Sequence, residues 1–376
     1  MNFSRVQSIE DVLSPGRALI VYGPRRIGKT TIVTAFLKKV EQSGKRVLYR
    51  VGDDIRLQEL FNSQVRMDIL EFARPHDLII IDEAQNIEKI GIATKMIVDA
   101  MPEKTLILTG SSSFDIANKV GEPLTGRHFT MTLLPITQAE INESDFEKRQ
   151  RLEEFLVFGS YPEVLALKTR DEKIRVLREL VASYLFKDIL VLDRIRSPEL
   201  LLKITKCLAF QIGNEVSLQE IARTTGTDAK TVQRYIDLLQ KTFVIKRVGG
   251  FSRNLRNEIS KRSKYYFYDL GVRNAVIEQW NGLNDRNDIG FLFENFLAME
   301  FTRAANIADR PDQLYFWRTH SGQEVDFIIE REGKLFAYES KWSKKPSRCL
   351  KQFLSVYPNA TGEIITKENY LDTLQK

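Results

Sequence analysis

At 376 residues the chain is too long for one ordinary hydrophobic core, so two or three domains are expected. Its 43% hydrophobic and 28% charged residues are those of a soluble globular protein, and no apolar run approaches the roughly 18 residues that cross a bilayer. The formal charge of +6 permits a polyanionic partner without demanding one. Met1 to Arg5 open no apolar segment followed by small residues, so no signal peptide is expected. Cys207 and Cys349 stand far apart without a CxxC partner and read as reduced, packed thiols of a cytoplasmic protein.

The first third alternates short apolar runs with amphipathic helical patterns. The runs are Ala18–Tyr22, Arg46–Val51, Leu78–Asp82, Thr105–Thr109 and Phe129–Leu133. Continuous apolar strands separated by helices predict a parallel sheet covered on both faces. Glu147–Val157 and Glu172–Leu185 then have helical spacing and many charges, as in a helical lid or connector. Ser217 can cap a helix Leu218–Thr225, Gly226 allows a turn, and a second helix runs from Ala229 to Lys241. Strand-like runs follow at Phe243–Val248 and Lys264–Tyr268. The last region is read as a helix Gly290–Ala305, a hairpin Gln323–Lys341 and a helix Ser347–Val356.

Gly23-Pro24-Arg25-Arg26-Ile27-Gly28-Lys29-Thr30 fits GxxxxGK[ST] between a predicted strand and a predicted helix that continues through Thr31. Glycines in such a loop let backbone N–H groups curl around a β-phosphate, and the helix presents its N-terminus to the same anion. Lys29 is expected to reach the β- and γ-phosphates of ATP, and the Thr30 hydroxyl to bind Mg²⁺. Asp82 and Glu83 end a buried strand, where phosphates sit in open α/β sheets. Asp82 suits the Mg²⁺ shell, and Glu83 suits polarising the attacking water. Ser111, after the strand Thr105–Thr109, is the expected γ-phosphate sensor. Arg25 and Arg127 are candidates for phosphate contact in cis or in a neighbour's site, or are surface arginines.

GPRRIGKTT, LIIIDEAQ, LTGSSS, LTGRHFTMTLLPIT, FGSYPEV and YYFYDLGVRNAVI together resemble the prokaryotic AAA-type ATPases, common in archaea, that carry a C-terminal nuclease-like domain of unassigned function. The resemblance covers nearly the whole chain. It implies an additional-strand (ASCE) P-loop core, a winged helix and a restriction-endonuclease-like C-terminal fold.

Between residues 241 and 264 the chain carries Lys241, Lys246, Arg247, Arg253, Arg256, Lys261, Arg262 and Lys264 against one acid, Glu258. After two helices this run would form the wing of a winged helix, with Lys230, Thr231, Gln233 and Arg234 on the exposed side of the second helix. DNA is the expected partner; a protein partner or a second copy of the chain is the alternative such a module serves.

In the hairpin, a two-residue turn at Glu332–Gly333 sets Asp326 opposite Glu339 and Glu324 opposite Lys341, all on one face by strand alternation. Val325, Phe327, Ile329, Phe336 and Tyr338 would fill the other. Two carboxylates about 5 Å apart repel unless a cation joins them. With Lys341 two residues beyond Glu339 they resemble the D…ExK signature of the PD-(D/E)XK nuclease fold. That resemblance implies Asp326 and Glu339 as Mg²⁺ ligands, Lys341 orienting water, and Glu294 as the fold's helical glutamate. A degenerate scaffold is the alternative. The expected fold class is therefore α/β: a P-loop domain over 1–140, a helical lid or connector over 141–208, a winged helix over 209–278 and an α/β nuclease-like domain over 285–376.

Overall fold

The structure, a computed structural model, describes residues 3–110, 124–183, 197–252, 263–319, 321–343 and 346–375. The chain divides into two compact units, one of Gln7–Leu134 with Lys241–Phe243, the other of Met1–Val6, Pro135–Gln240 and Val244–Lys376. Among the described residues no helix is long and apolar enough to cross a membrane.

In the first unit β1 (Ala18–Tyr22), β2 (Val47–Val51), β3 (Leu78–Asp82), β4 (Thr105–Gly110) and β5 (His128–Thr132) form a parallel sheet in the order β2-β3-β4-β1-β5. All five predicted strands are present, each within one residue of its expected ends. Helices α1 (Ile9–Val12), α2 (Lys29–Gln42), α3 (Ile55–Ser63), α4 (Arg66–Ala73) and α5 (Ile90–Ala100) accompany it. Ile20, Ile79, Ile81, Leu106 and Leu108 bury one sheet face against Phe61, Ile69, Ile90 and Ile97. The central strands β1 and β3 are buried along nearly their whole length and read as apolar runs, whereas the edge strands β2 and β5 are partly exposed and carry Arg50, His128 and Thr130. The additional strand β4 lies between the strand that feeds the phosphate loop and the strand that ends in Asp82.

The second unit begins with α6 (Asp145–Gln150), α7 (Leu152–Phe158), α8 (Pro162–Ala166) and α9 (Arg170–Ser183), followed by α10 (Pro198–Phe210). The single helix expected over Glu147–Val157 is two, because Arg151 leaves helical geometry at φ −95°, ψ 3°. The pair α11 (Leu218–Thr225) and α12 (Ala229–Lys241) has its expected bounds. Gly226 sits in the left-handed region at φ 71°, and Ser217 caps α11. Strand β6 (Glu215–Val216) precedes α11, and after α12 come β7 (Ile245–Gly250), β8 (Ser263–Phe267), α13 (Leu270–Val276) and α14 (Ile289–Ile307). The chain closes with β9 (Gln313–Arg318), β10 (Glu324–Arg331), β11 (Lys334–Ser340), α15 (Arg348–Val356), β12 (Thr361–Ile365) and α16 (Tyr370–Leu374).

Strands β12-β11-β10-β9-β7-β8-β6 make one seven-stranded sheet. The ribbon β7–β8 that the sequence suggests as a wing is therefore continuous with the C-terminal hairpin, through a parallel pairing of Gly249 and Gly250 with β9. Two of the resemblance motifs meet inside this unit. The buried Asp269 carboxylate accepts the backbone N–H groups of Ser160 at 2.7 Å and Val272 at 3.1 Å. A Cβ at Gly271 would stand 2.2 Å from the Phe158 carbonyl oxygen, so FGSYPEV and YYFYDLG are mutual packing surfaces.

Candidate functional site

The phosphate loop joins β1 to α2. Gly23 (φ 150°) admits no side chain, since a Cβ there would lie 2.1 Å from the Leu133 carbonyl oxygen, and Gly28 is left-handed at φ 95°. Pro24 and Ile27 are buried and anchor the loop, whereas Arg25, Arg26, Thr30 and Thr31 are exposed. The Lys29 side chain is buried, and its ammonium donates to the carbonyls of Gly23 and Pro24 at 2.9 Å each. The cation thus lies along the inner wall of the loop.

Parallel pairing carries Asp82 beside this loop. Thr30 Oγ1 donates to Asp82 Oδ2 at 2.9 Å, and the Tyr49 hydroxyl donates to the same oxygen at 2.7 Å. Burial first, then the Asp82 carboxylate, pushes the Tyr49 phenol well above its ordinary value, so it remains a donor. On the other oxygen the Thr109 hydroxyl donates to Oδ1 while accepting the Glu83 N–H at 3.1 Å. Glu83 itself is held left-handed (φ 52°, ψ 42°), where the Gly52 backbone passes so closely that a Cβ would sit 2.3 Å from the Glu83 carbonyl oxygen. Its Oε2 accepts from the Gln85 amide. A carboxylate beside a hydroxyl, next to a loop of N–H groups and an ammonium, is a donor set suited to a hard divalent ion and phosphate oxygens.

Tyr49, Thr109 and Gln85 were not among the residues the sequence singled out. Thr109 left a signal, a fully buried hydroxyl directly after the apolar run Leu106–Leu108. Ser111 lies outside the described residues. Arg127 pairs with Asp99 at 2.5 Å and donates to the Thr125 carbonyl, so within this unit it is an engaged surface arginine.

The acid cluster of the second unit differs from the expected one in two respects. The β10–β11 ladder has the expected register from Phe327↔Tyr338 to Arg331↔Lys334, closed by a turn with Glu332 at φ 50° and Gly333 at φ 76°. Against β9, however, β10 slips by one residue between Val325 and Ile328. The bulge breaks strict alternation. Val325 packs with Ile328, Leu335, Ala337 and Phe353 on the α15 side, whereas Phe327 meets Tyr266 and Phe301. Val325 and Phe327 therefore do not share the face assigned to them. Asp326 Oδ2 is held by Ser340, through its N–H at 2.7 Å and its hydroxyl at 3.0 Å.

The second difference is a lysine. Lys264, expected on the wing, is 1% exposed in the sheet interior, where its ammonium bonds Glu294 Oε1 at 3.0 Å and also pairs with Glu324. Burial alone would lower the Lys264 pKa, but Glu294, Glu324 and Asp326 overcome it and hold the ammonium above its ordinary value. Tyr266 donates to the same Glu294 oxygen at 2.6 Å. Glu294 is pushed up to about 7, chiefly by burial, with Lys264 opposing and Asp326 adding to the rise. Lys341 pairs with Glu339 Oε1 at 2.7 Å, and Glu339 Oε2 is buried without a hydrogen-bond partner among the described residues. Burial raises both Asp326 and Glu339, and the neighbouring Asp326 raises Glu339 further. Glu294, Glu324, Asp326 and Lys341 line one cavity of about 390 Å³. Among the described residues no group of three or more His, Cys, Asp or Glu is arranged to hold a metal ion. Lysine occupies the cation's place between Glu294 and Glu324.

The helix face offered to DNA is partly committed as well. Thr231 bonds Asp228 and Gln233 bonds Asp237, leaving Lys230 and Arg234 as its exposed cations. Lys246 is half-buried and Arg247 bonds the Ser263 hydroxyl at 2.7 Å. Arg253, Arg256, Glu258, Lys261 and Arg262 lie outside the described residues.

Comparison with known proteins matches three successive segments of the chain. Residues 15–142 match the family described as AAA domain, residues 149–285 a domain of unknown function (DUF8612), and residues 289–375 a domain of unknown function (DUF4143). The first matched segment holds the phosphate loop and the inserted strand β4. Residues 15–142 form a P-loop domain that is similar to AAA domains. An uncharacterized protein of Mycobacterium tuberculosis is 25% identical, over 88% of this chain and 71% of that protein. One of Methanocaldococcus jannaschii is 23% identical, over 87% and 75%. Among solved structures, AMPPCP-bound DnaA from Aquifex aeolicus is 18% identical and overlaps 60% of this chain and 81% of that one, with a TM-score of 0.29. DnaA bound to AMPPCP and single-stranded DNA is also 18% identical and overlaps 61% and 84%, with a TM-score of 0.32. Likenesses at that level carry no argument.

Proposed function

We propose that this chain binds ATP with Mg²⁺ and hydrolyses it in the AAA-type domain. The observation that carries the reading is the 2.9 Å bond from Thr30 Oγ1 to Asp82 Oδ2, beside a loop that wraps the Lys29 ammonium. Gly23 to Thr31 would cradle the phosphates, Lys29 would face the β- and γ-phosphoryl oxygens, and Thr30 with Asp82 would hold the ion. Mg²⁺ would supply neutralisation of charge on the phosphoryl oxygens. Glu83, oriented through its N–H by Thr109, accepts the proton of the attacking water. Ser111 is assigned the sensing of the terminal phosphate. Two variants test the assignment by nucleotide binding and steady-state turnover. Lys29→Ala removes the cation facing the phosphates and abolishes tight binding. Glu83→Gln keeps binding and slows turnover by about 10²–10⁴-fold, the usual worth of a positioned base. Glu83→Gln turning over at the wild-type rate would remove Glu83 from that role.

We further propose that nucleotide state controls DNA engagement by a winged helix over 209–278 and a nuclease-like domain over 285–376, with 141–208 as connector to the ATPase core over 1–140. The exposed Lys230 and Arg234 on α12 support the first part. A second reading, Mg²⁺-dependent cleavage, is favoured by the partnerless buried Glu339 Oε2, which a hydrated ion shared with Asp326 would satisfy. Glu294, tied to Lys264, would then act outside that ion's first ligands. Mn²⁺ titration of the wild type and of Asp326→Asn separates the readings: binding lost with Asp326→Asn supports the metal site, and no binding in the wild type supports a scaffold.

A further inference from the structure

A second cavity, of about 300 Å³, opens on another part of the same unit. That volume is at the lower end of small-molecule sites. Phe301, Phe336 and Tyr338 give it aromatic walls, with Phe301 and Tyr338 stacked at 5.1 Å between ring centres. Lys246, from β7, reaches its lining, and among the described residues that ammonium has no hydrogen bond, no ion pair and no ring beneath it. Burial lowers the Lys246 pKa, with no carboxylate among the described residues near enough to offset it.

Other charges in the wall are already spoken for. The half-buried Arg331 and the more open Arg310 both bond the Asp312 carboxylate, Arg331 at 3.0 and 2.9 Å and Arg310 at 3.2 Å. Glu363 accepts from Thr373 at 3.2 Å and from Asn369. Three cations thus face two carboxylates, an excess of one positive charge centred on the lysine without a partner. A largely buried ammonium is costly until an anion or hydrogen-bond acceptor meets it. We propose that this cavity binds a small planar organic monoanion, with its aromatic body among Phe301, Phe336 and Tyr338 and its carboxylate on Lys246. Apolar walls without Lys246 would favour a neutral guest, and a cluster of free cations would favour phosphate. One unpaired cation beside aromatic rings selects an aryl carboxylate.

Isothermal titration of the full chain with 2-naphthoate and its neutral isostere 2-naphthamide tests this. Wild-type protein should take up one naphthoate per chain, about tenfold to a hundredfold tighter than the amide, the worth of a charge-assisted hydrogen bond. Lys246→Met keeps the apolar stem and should bring the two ligands to equal affinity by weakening naphthoate alone. Ala305→Phe, which fills the cavity from α14, should abolish both. Absence of saturable binding in the wild type, equal affinities there, or a preference for the anion that survives Lys246→Met would each overturn the proposal. The wild-type comparison stands whether or not either variant folds.

Discussion

Lys264 is the residue whose removal is expected to be felt most in the second unit. Its side chain is 1% exposed and that of its partner Glu294 is 9%, so the pair belongs with buried ion pairs and not with surface pairs worth about 0–1 kcal/mol. Lys264→Met leaves Glu294 buried without its cation, a loss of about 3–5 kcal/mol. Glu294→Gln should be much milder. Lys264 keeps Glu324, and the glutamine carbonyl can still accept from Tyr266. If the pair is coupled, Lys264→Met/Glu294→Gln recovers about 2 kcal/mol relative to the sum of the single changes. Glu294 is an acid whose folded pKa is raised, so the stability it contributes is fully present below its unfolded value and is lost as pH rises through about 7. Without Lys264 that pKa rises further, and the penalty of Lys264→Met should shrink between pH 8 and pH 6 as Glu294 takes up a proton. Urea unfolding followed by tryptophan fluorescence reads this unit, because Trp280, Trp317 and Trp342 all belong to it. A Lys264→Met midpoint within about 1 kcal/mol of wild type, or strictly additive single changes, would refute the buried-pair reasoning.

Thr109→Val keeps the shape of a fully buried residue but removes the hydroxyl that joins Asp82 to the Glu83 N–H, so the first unit should lose about 1–3 kcal/mol, and on the proposed function turnover should fall while nucleotide still binds. Thermal unfolding and steady-state kinetics check both. Gly23→Ala forces a Cβ against the Leu133 carbonyl and should disrupt the loop and nucleotide binding, whereas Gly44→Ala, left-handed but facing open space, should cost only about 1 kcal/mol. A calorimetric melt of the two variants ranks them. If the basic run after α12 contacts about four phosphates, the log–log salt slope of DNA binding is near −4, and replacing Arg253 and Arg256 together flattens it by about 2. Anisotropy titrations across salt concentrations measure the slope, and an unchanged one would move the contact elsewhere.

The phosphate-loop unit was legible because its signals are local. Strands β1 and β3, buried on both faces, are almost wholly apolar, a phosphate loop needs glycine where φ is positive, and each signal falls on consecutive residues. Tyr49 and Thr109 escaped for the opposite reason. Their roles exist only because β2 and β4 flank β3, and adjacency in a parallel sheet is set by crossovers that no short pattern records. Strand β9 has an aromatic run, Leu314–Trp317, to which the sequence reading assigned no element. Strand β12, with Thr361, Gly362 and Glu363 in five residues, left almost none.

The missing β9 also explains why the hairpin was read too simply. From two strands and a turn, alternation is the correct inference, and the β10–β11 register obeys it. A bulge is a property of β10 against its other neighbour, and a reading without β9 has no place to put one. The same omission misplaced Lys264. As the end of a two-stranded wing, Ser263–Phe267 would have one open face and a solvated lysine. Within a sheet of seven strands it is covered on both sides, and every one of its residues is buried. A lysine in that position survives only with acids around it, which Glu294 and Glu324 provide. The acids that suggest a metal site are therefore accounted for in part by the lysine they enclose. What they leave over for a divalent ion is Asp326 and the Glu339 oxygen that has no hydrogen-bond partner among the described residues, and it is there that a metal titration decides between a metal site and a scaffold.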